Sequence, residues 1–589
     1  MIDDILLQVQ KPARYIGEEW NVSKKDFDKA QIKFALCFPD LYEVGMSNLG
    51  IRILYGILNH IPDVVCERFF ACASDLENSL RNRQAQIFSL ESKKKLGEFD
   101  LVGFSLGYEL NYTNVLNILD LGSIPLKSSL RNHTYPLILA GGPAVFNPEP
   151  MHEFFDLFVI GEAEEVIIEI TDIYRKFKGK FKEGKISKQD LLVIFSGIPG
   201  VYVPSLYEVE YNSEGKIEKF SPRISGVPAK IKKRFVENLN GSYFPLDWLV
   251  PYIQIIHDRI TLEIMRGCPN RCRFCQAKVQ YFPLRQRGIK EILDLGCQIY
   301  SRTGYEEISL CGLSVSDYYG IEELLTNLLG FFKEKAVSVS LPSIKPKTVV
   351  GNLSSLIATI KKTGLTFAPE AASERLRKVL GKDFDVEGFY KAIEQAYTAG
   401  YQHIKLYYMI GLPSETQSDL DAIIDFSCSV SELKRKINKV PAEVNISINT
   451  LIPKPHTPLQ WLRMEDVNSI QSKHAYLKRK MRNKRLKLNM HDPRMSFLEG
   501  VFSRGDRKLS QVLLAAFSNG VRFDAWSNYF MPEKWQNAFS TCHIDPNFYL
   551  KDKSKDEILP WDFLDTGISK EAQLAEYKEA LSCNETQKE

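Results

Sequence analysis

The run Ile260-Thr-Leu-Glu-Ile-Met-Arg-Gly-Cys268-Pro-Asn-Arg-Cys272-Arg-Phe-Cys275 joins an apolar, strand-like stretch (260–265) through Arg266-Gly267 to three cysteines on one short loop. Thiolates are the ligands of iron–sulfur clusters, and a [4Fe–4S] cluster held by three of them keeps one iron without a protein ligand. A structural zinc site asks for four ligands in paired spacings, and no second Cys pair or Cys/His pair follows at a suitable distance. The triplet therefore reads as a cluster loop with one open iron, and the chain around it as its scaffold.

Outward from the loop the alternation is regular. Strand-like runs at 260–264, 307–310, 336–341, 365–368, 403–409 and 444–451 are separated by helical patterns near 289–302, 320–334, 349–362, 385–399 and 416–434. Six strands and five intervening helices predict a partial (β/α) barrel over 251–465, smaller than the eight-stranded form. In such folds the reactive groups sit in loops at the carboxyl ends of the strands, which is where the cysteines fall.

A C-x3-C-x2-C loop after the first strand of a six-unit barrel, with Phe274 before the last cysteine, resembles the radical S-adenosylmethionine superfamily. The resemblance implies that Cys268, Cys272 and Cys275 hold a [4Fe–4S] cluster whose open iron is chelated by the amino and carboxylate groups of S-adenosylmethionine. One electron, from a reductant such as flavodoxin or ferredoxin, then cleaves the sulfur–carbon bond. The products are methionine and a 5′-deoxyadenosyl radical that abstracts hydrogen from substrate.

The resemblance also directs attention to the other strand ends. Phe274 is expected near the adenine. The segment Cys311-Gly-Leu-Ser-Val-Ser-Asp317 stands where the family has a Gly-Gly-Glu-type loop, keeping Gly312 and offering Ser314 and Ser316 instead. After the fourth strand, Ser373 reads as an N-cap that puts Arg375 and Arg377 in the first helical turn. Cations there oppose the helix dipole, so an anion such as the methionine carboxylate would justify them, and Glu370 could bond a ribose hydroxyl. Surface pairing of Glu370 and Glu374 with the arginines is the equal alternative. Small polar residues to Ser343 after the third strand, the Gly411–Thr416 turn and His456 complete the rim, each with an ordinary loop role as its alternative.

Upstream, Ile32-Lys-Phe-Ala-Leu-Cys-Phe38 is a nearly continuous apolar run, as in a strand buried on both faces. Similar runs at 101–105, 137–140 and 157–160, with helical patterns between, predict a doubly wound (Rossmann-like) domain over 1–195 whose ligands sit beyond the strands' carboxyl ends. Ser105, Gly141 and Gly142 lie in those loops, and paired glycines permit close backbone approach to a ligand or simply make a turn. This layout resembles the cobalamin-binding-like domain of one large branch of the superfamily, which implies cobalamin at Ser105, Gly141 and Gly142. The branch's Asp-x-His-x-x-Gly signature is absent. Leu206–Tyr211 and Ile217–Phe220, joined by Asn212-Ser-Glu-Gly215, predict a β-hairpin linker within 196–250.

The remainder, 466–589, is predicted as an α-rich C-terminal cap. It contains a basic run (Lys473, Lys478, Arg479, Lys480, Arg482, Lys484, Arg485, Lys487) that on one helix would make a basic face for phosphate or a solvated surface. With the Phe38-Pro-Asp-x-Tyr-Glu-Val-Gly-Met-Ser47 opening, the chain resembles a subgroup of large fused radical enzymes with an N-terminal cobalamin-binding-like domain.

The 589 residues, 44% hydrophobic and 25% charged, have an ordinary globular composition, and a net charge of +3 implies no nucleic-acid partner by itself. Eleven scattered cysteines are no disulfide framework, and a thiolate cluster implies a reducing compartment. The acidic start and the lack of any apolar run near about 18 residues predict a cytoplasmic protein. The function expected is a radical enzyme, with cobalamin-assisted methyl transfer ranked above methylthio transfer because Cys37, Cys66 and Cys72 are wrongly spaced for a second cluster loop. Radical rearrangement or cyclisation without cobalamin stays open. From another class, an iron–sulfur module docking on RNA or ribosome is the alternative.

Overall fold

A computed structural model describes residues 2–340 and 365–582. The chain forms two compact units, one of residues 1–258, 501–549 and 556–567, the other of 259–500, 550–555 and 568–589. The sequence region 466–589, expected as one C-terminal cap, is thus divided between them. Among the described residues no helix is long and apolar enough to cross a membrane.

The first unit is built on a six-stranded sheet in the order β2-β1-β3-β4-β5-β6. Its strands are β1 (Ile32–Phe38), β2 (Val64–Phe70), β3 (Leu101–Ser105), β4 (Leu137–Gly141), β5 (Leu157–Val159) and β6 (Val201–Tyr202). The first five are parallel and β6 is antiparallel to β5, which gives the predicted doubly wound fold with its topological switch between β1 and β3. The helix α1 (Leu49–His60) starts at Asn48, whose side chain accepts from the Ile51 amide.

The strand β2 lacks the continuous apolar run that marks its neighbours. Glu67 and Arg68 interrupt it, yet both are buried because each meets a partner from elsewhere. The Arg68 guanidinium forks onto Glu19 (2.7 and 3.0 Å) and reaches Glu91 at 2.7 Å, while Ser92 donates to Glu67 at 2.6 Å.

The predicted hairpin is β7 (Tyr207–Tyr211) against β8 (Ile217–Pro222), and it packs within the first unit. Phe220 stacks on Phe563 with ring centroids 4.4 Å apart. A short strand β9 (Ile231–Lys232) pairs in parallel with Leu564–Asp565, so residues 556–567 are tied into this unit.

The second unit carries the predicted partial (β/α) barrel. Strands β10 (Ile260–Glu263), β13 (Glu307–Cys311) and β14 (Ser338–Ser340) form one parallel arc. Between the first two lies a small antiparallel ladder, β11 (Met265–Arg266) on β12 (Arg285–Gln286). A second parallel arc contains β15 (Leu365–Glu370), β16 (His403–Ile410), β17 (Glu443–Thr450) and β18 (Leu486–Met490). The helices Ile289–Thr303, Ile321–Lys333, Val386–Thr398 and Gln417–Asn438 fall within a few residues of their predicted positions. The expected helix at 349–362, the end of the third strand and Ser343 lie outside the described residues.

The strand β18 corrects the reading of the basic run. Residues 473–487 are the end of a helix (Val467–Lys480), a turn and the start of a strand, not one helical face. Acids from other elements meet them: Lys473 reaches Glu415 (2.5 Å) and Glu465 (2.7 Å), and Lys487 reaches Glu443 (2.7 Å). The eight charges are therefore carried by a helix end, a turn and a strand start rather than by one helical face.

Candidate metal centre and cofactor site

The cysteine loop leaves the barrel at the carboxyl end of β10 and is closed at its base by the β11–β12 ladder. Gly267 makes the exit turn with φ +83°, and a Cβ there would lie 2.8 Å from Leu284 Cα and Pro283 O. Past the turn, Cys275 precedes a short helix (Gln276–Gln280), and its amide donates to Cys272 O at 3.2 Å.

Three braces hold the loop. Asn270 Nδ2 lies 3.0 Å from Cys268 Sγ and 2.9 Å from Asp317 Oδ2, and Ser314 Oγ donates to the same Asp317 oxygen at 2.7 Å. The cysteine loop is thereby tied to the loop after β13. The Arg273 guanidinium donates to Lys378 O (2.7 Å) and Val379 O (3.0 Å) and pairs with Glu579 (2.8 Å) on the helix Lys570–Ser582. Gly381 (φ +63°) packs so closely that a Cβ would stand 2.4 Å from Arg271 O.

Among the described residues, no three His, Cys, Asp or Glu side chains converge as ligands of one metal ion. A cluster makes a different demand, because its three thiolates bind three different irons. The three cysteines are half-buried on one braced loop, which fits that demand. Burial pushes the Cys272 thiol up to about 11, with Lys382 opposing, and burial also raises Cys275. Their thiolate forms therefore call for the positive charge of bound iron, and loading releases protons.

Gly312 follows β13 where a Cβ would meet Met265 Cγ at 2.6 Å, so its role is to let the two strand ends approach. Ser314 and Ser316 are buried. Phe274 is half-buried, with the Lys382 ammonium 5.8 Å from its ring centroid. Glu370, at φ +64° beside a bulge in β15, holds Lys382 Nζ at 2.7 Å, and burial raises its carboxyl. Ser373 donates to Asp419 (2.6 Å) and makes no side-chain cap, and Arg375 turns to Asp419 (2.6 Å) and Ser414 (2.7 Å). Arg377 is buried, donating to Ala372 O (2.5 Å) and lying over Phe384. The pairing alternative is corrected: the acids pair with lysines, Glu374 with Lys378 and Glu370 with Lys382, while the two arginines turn to different partners. His456 is buried with its carbonyl accepting from Gln573 at 2.7 Å.

In the first unit, Ser105 and Gly141 are directly opposite each other at the carboxyl ends of β3 and β4. Gly142 (φ +108°) lets the following loops touch, since a Cβ would lie 2.7 Å from Leu106 O. Gly107 is exposed, and Ser105 and Gly141–Pro143 are half-buried, so this half of the sheet edge is open to close backbone approach. The half beyond β1 is covered: Trp526 Nε1 donates to Asp40 at 2.9 Å, and Asn114 accepts from the Phe523 amide.

Beside them, the buried Asp524 accepts from Trp535 (2.7 Å) and Thr113 (2.9 Å), and burial pushes its carboxyl up to about 6. A raised carboxyl binds its proton more tightly in the folded state. Its stabilisation is complete below the unfolded value near 4 and is lost as pH rises through about 6, a change of roughly 3 kcal/mol. Denaturant titrations of the first unit between pH 4 and 7 are expected to show this slope, and Asp524→Asn to flatten it.

Sequence reasoning overlooked Asn270, Lys382, Asp419 and Glu579. Only Asn270 carried a local signal, lying inside the cysteine triplet. The others act across 44 residues (Asp419 on Arg375) or more, or, for Lys382, through a bulge that pattern reading does not resolve.

A braced thiolate triplet at the carboxyl rim of a partial (β/α) barrel, preceded by a doubly wound domain, defines a class of iron–sulfur enzyme. Residues 50–204 match the family described as radical SAM proteins, N-terminal, and residues 262–427 match the radical SAM superfamily. The chain belongs to the radical S-adenosylmethionine enzymes, whose cofactors are a [4Fe–4S] cluster and S-adenosylmethionine.

An uncharacterised protein of Methanocaldococcus jannaschii is 27% identical over 81% of this chain and 90% of its own length. An uncharacterised methyltransferase of Pyrococcus horikoshii is 24% identical over 49% of this chain and 57% of its own. Among solved structures, the radical S-adenosylmethionine methyltransferase TsrM from Kitasatospora setae, with cobalamin and a [4Fe–4S] cluster bound, is 13% identical. It overlays with TM-score 0.48 over 86% of this chain and 99% of its own.

Proposed function

We propose that Cys268, Cys272 and Cys275 hold the [4Fe–4S] cluster, and that the enzyme uses it to abstract a hydrogen atom from substrate and transfer a methyl group with cobalamin. The observation that carries the first part is the single loop of three half-buried thiols tied to the loop after β13 and to the helix after β15. When bound, the cluster supplies one electron to S-adenosylmethionine, releasing methionine and the 5′-deoxyadenosyl radical. The chain's residues orient the reactants: Asn270 and Ser314 fix the loop through Asp317, and the half-buried Phe274 offers a ring face for the adenine.

Methyl transfer is favoured by the relationship to the Pyrococcus methyltransferase and by the state of the N-terminal cysteines. Cys37 and Cys66 lie buried in β1 and β2, and Cys72 is buried just beyond. Cys37 and Cys66 are held inside paired strands rather than on one open loop, the opposite of a loop poised to take up a second cluster for sulfur insertion. Cobalamin would lie on the open half of the sheet edge, at Ser105, Gly141 and Gly142. Flavodoxin or ferredoxin is the reductant class proposed.

Anaerobically reconstituted full-length protein, reduced in the presence of S-adenosylmethionine, is expected to release 5′-deoxyadenosine and methionine. A fully iron-loaded protein that releases neither overturns the radical reading. After incubation with hydroxocobalamin and desalting, corrinoid absorbance should stay with the protein; its complete loss overturns the cobalamin part alone.

A further inference from the structure

The Glu370–Lys382 pair lies against the cysteine loop. Lys382 stands at a helix end whose backbone leaves it little freedom. The helix Glu374–Val379 closes with Gly381 in the left-handed region, the Gly381 amide on Lys378 O and the Lys382 amide on Arg377 O at 2.9 Å. This is the Schellman arrangement, in which the residue after the glycine is tied back to the last turn. The same glycine presses on Arg271 O of the cysteine loop, so the backbone at 381–382 and the loop are in register.

The other half of the pair is equally constrained. Glu370 adopts φ +64°, costly for a residue with a Cβ, at a bulge that re-aims its side chain. The carboxylate then meets Lys382 Nζ at 2.7 Å. Only 23% of the Lys382 side chain and 15% of that of Glu370 are exposed, so the ion pair is shielded from solvent. The ammonium sits 5.8 Å from the ring centre of Phe274, between Cys272 and Cys275 in sequence, which is within cation–π range.

We propose that Lys382, tethered by Glu370, is a positioning residue that turns the positive end of this ion pair toward the Cys268–Cys275 loop and biases a bound cluster toward its reduced form. This rests on the reading that the loop carries the cluster. In the step concerned a single-electron donor is oxidised and the cluster gains one negative charge. The positive end of a fixed ion pair in a low-dielectric setting favours the more negative state of a group placed at that end, so it raises the midpoint potential.

The test is a redox titration, followed by electron paramagnetic resonance, of the anaerobically reconstituted full chain without S-adenosylmethionine. The variants are Lys382→Met, Lys382→Gln and Lys382→Arg, with iron and acid-labile sulfide measured in each. Lys382→Met and Lys382→Gln are expected to titrate at a more negative potential than wild type with unchanged iron, and Lys382→Arg near wild type. A wild-type potential in Lys382→Met or Lys382→Gln overturns the proposal, as does an equal negative shift in Lys382→Arg. Loss of iron from all three variants also overturns it, because the lysine then serves only to fold the loop. Wild-type protein that binds no iron fails the cluster assignment instead, a different result.

Discussion

Cys272→Ala protein is expected to release no 5′-deoxyadenosine above background under conditions where wild type turns over S-adenosylmethionine. With one thiolate gone, two protein ligands remain for a cluster that needs three. The loop itself should survive. Arg273 still anchors it to Lys378 O, Val379 O and Glu579, and Gly381 still packs on Arg271 O. Circular dichroism and melting temperature of the unreconstituted protein should therefore match wild type, while iron content collapses.

Asn270→Ala gives the graded comparison. It removes the group that joins Cys268 Sγ to Asp317, an outer-shell contact whose loss costs about 10–100-fold in affinity or activity. Wild-type rates of 5′-deoxyadenosine release by Cys272→Ala would remove the three-cysteine assignment.

The second large effect is on stability. Arg68→Met is expected to destabilise the first unit by about 3–5 kcal/mol, the range for breaking a buried ion pair from one side. The Arg68 side chain is fully buried, and those of Glu19 and Glu91 are 2% and 8% exposed. Burial alone would push Glu19 up, but Arg68 holds its carboxyl below the usual range; for Glu91 burial wins and the carboxyl is raised. Without the guanidinium two carboxyl groups remain buried and uncompensated. Lys at this position cannot reproduce the fork onto Glu19, so Arg68→Lys should recover only part of the loss.

Adding Glu19→Gln and Glu91→Gln to Arg68→Met should restore much of the stability, because neutral amides cost less to bury than carboxylates. Urea titrations followed by tryptophan fluorescence would measure this. An Arg68→Met midpoint equal to that of wild type would show that the network contributes nothing net.

How much was legible in the sequence depended on the range of the interactions involved. The cysteine loop needed only eight consecutive residues, and the helices of the second unit were readable because hydrophobic periodicity is a local property that burial of one face enforces. The strand β2 was not readable, since Glu67 and Arg68 break its apolar run and are tolerated only through Glu19, Glu91 and Ser92. Arg375 and Arg377 looked like two halves of an anion site because they are two residues apart. In the fold one reaches Asp419 and the other is buried over Phe384.

By itself the sequence determined three things: where the thiolates sit, the strands and helices from β10 to β17 among the described residues, and that a doubly wound domain precedes the barrel. Each follows from spacing or periodicity along a short stretch of chain. Only the tertiary structure decided that residues 501–549 and 556–567 complete the first unit and that the basic run is divided between helix, turn and β18. It also decided that Glu370 holds Lys382 beside Phe274. The physical reason is common to all three. A charged or polar group can be buried only where a partner meets it, and that partner is chosen by how distant segments pack rather than by neighbours in sequence.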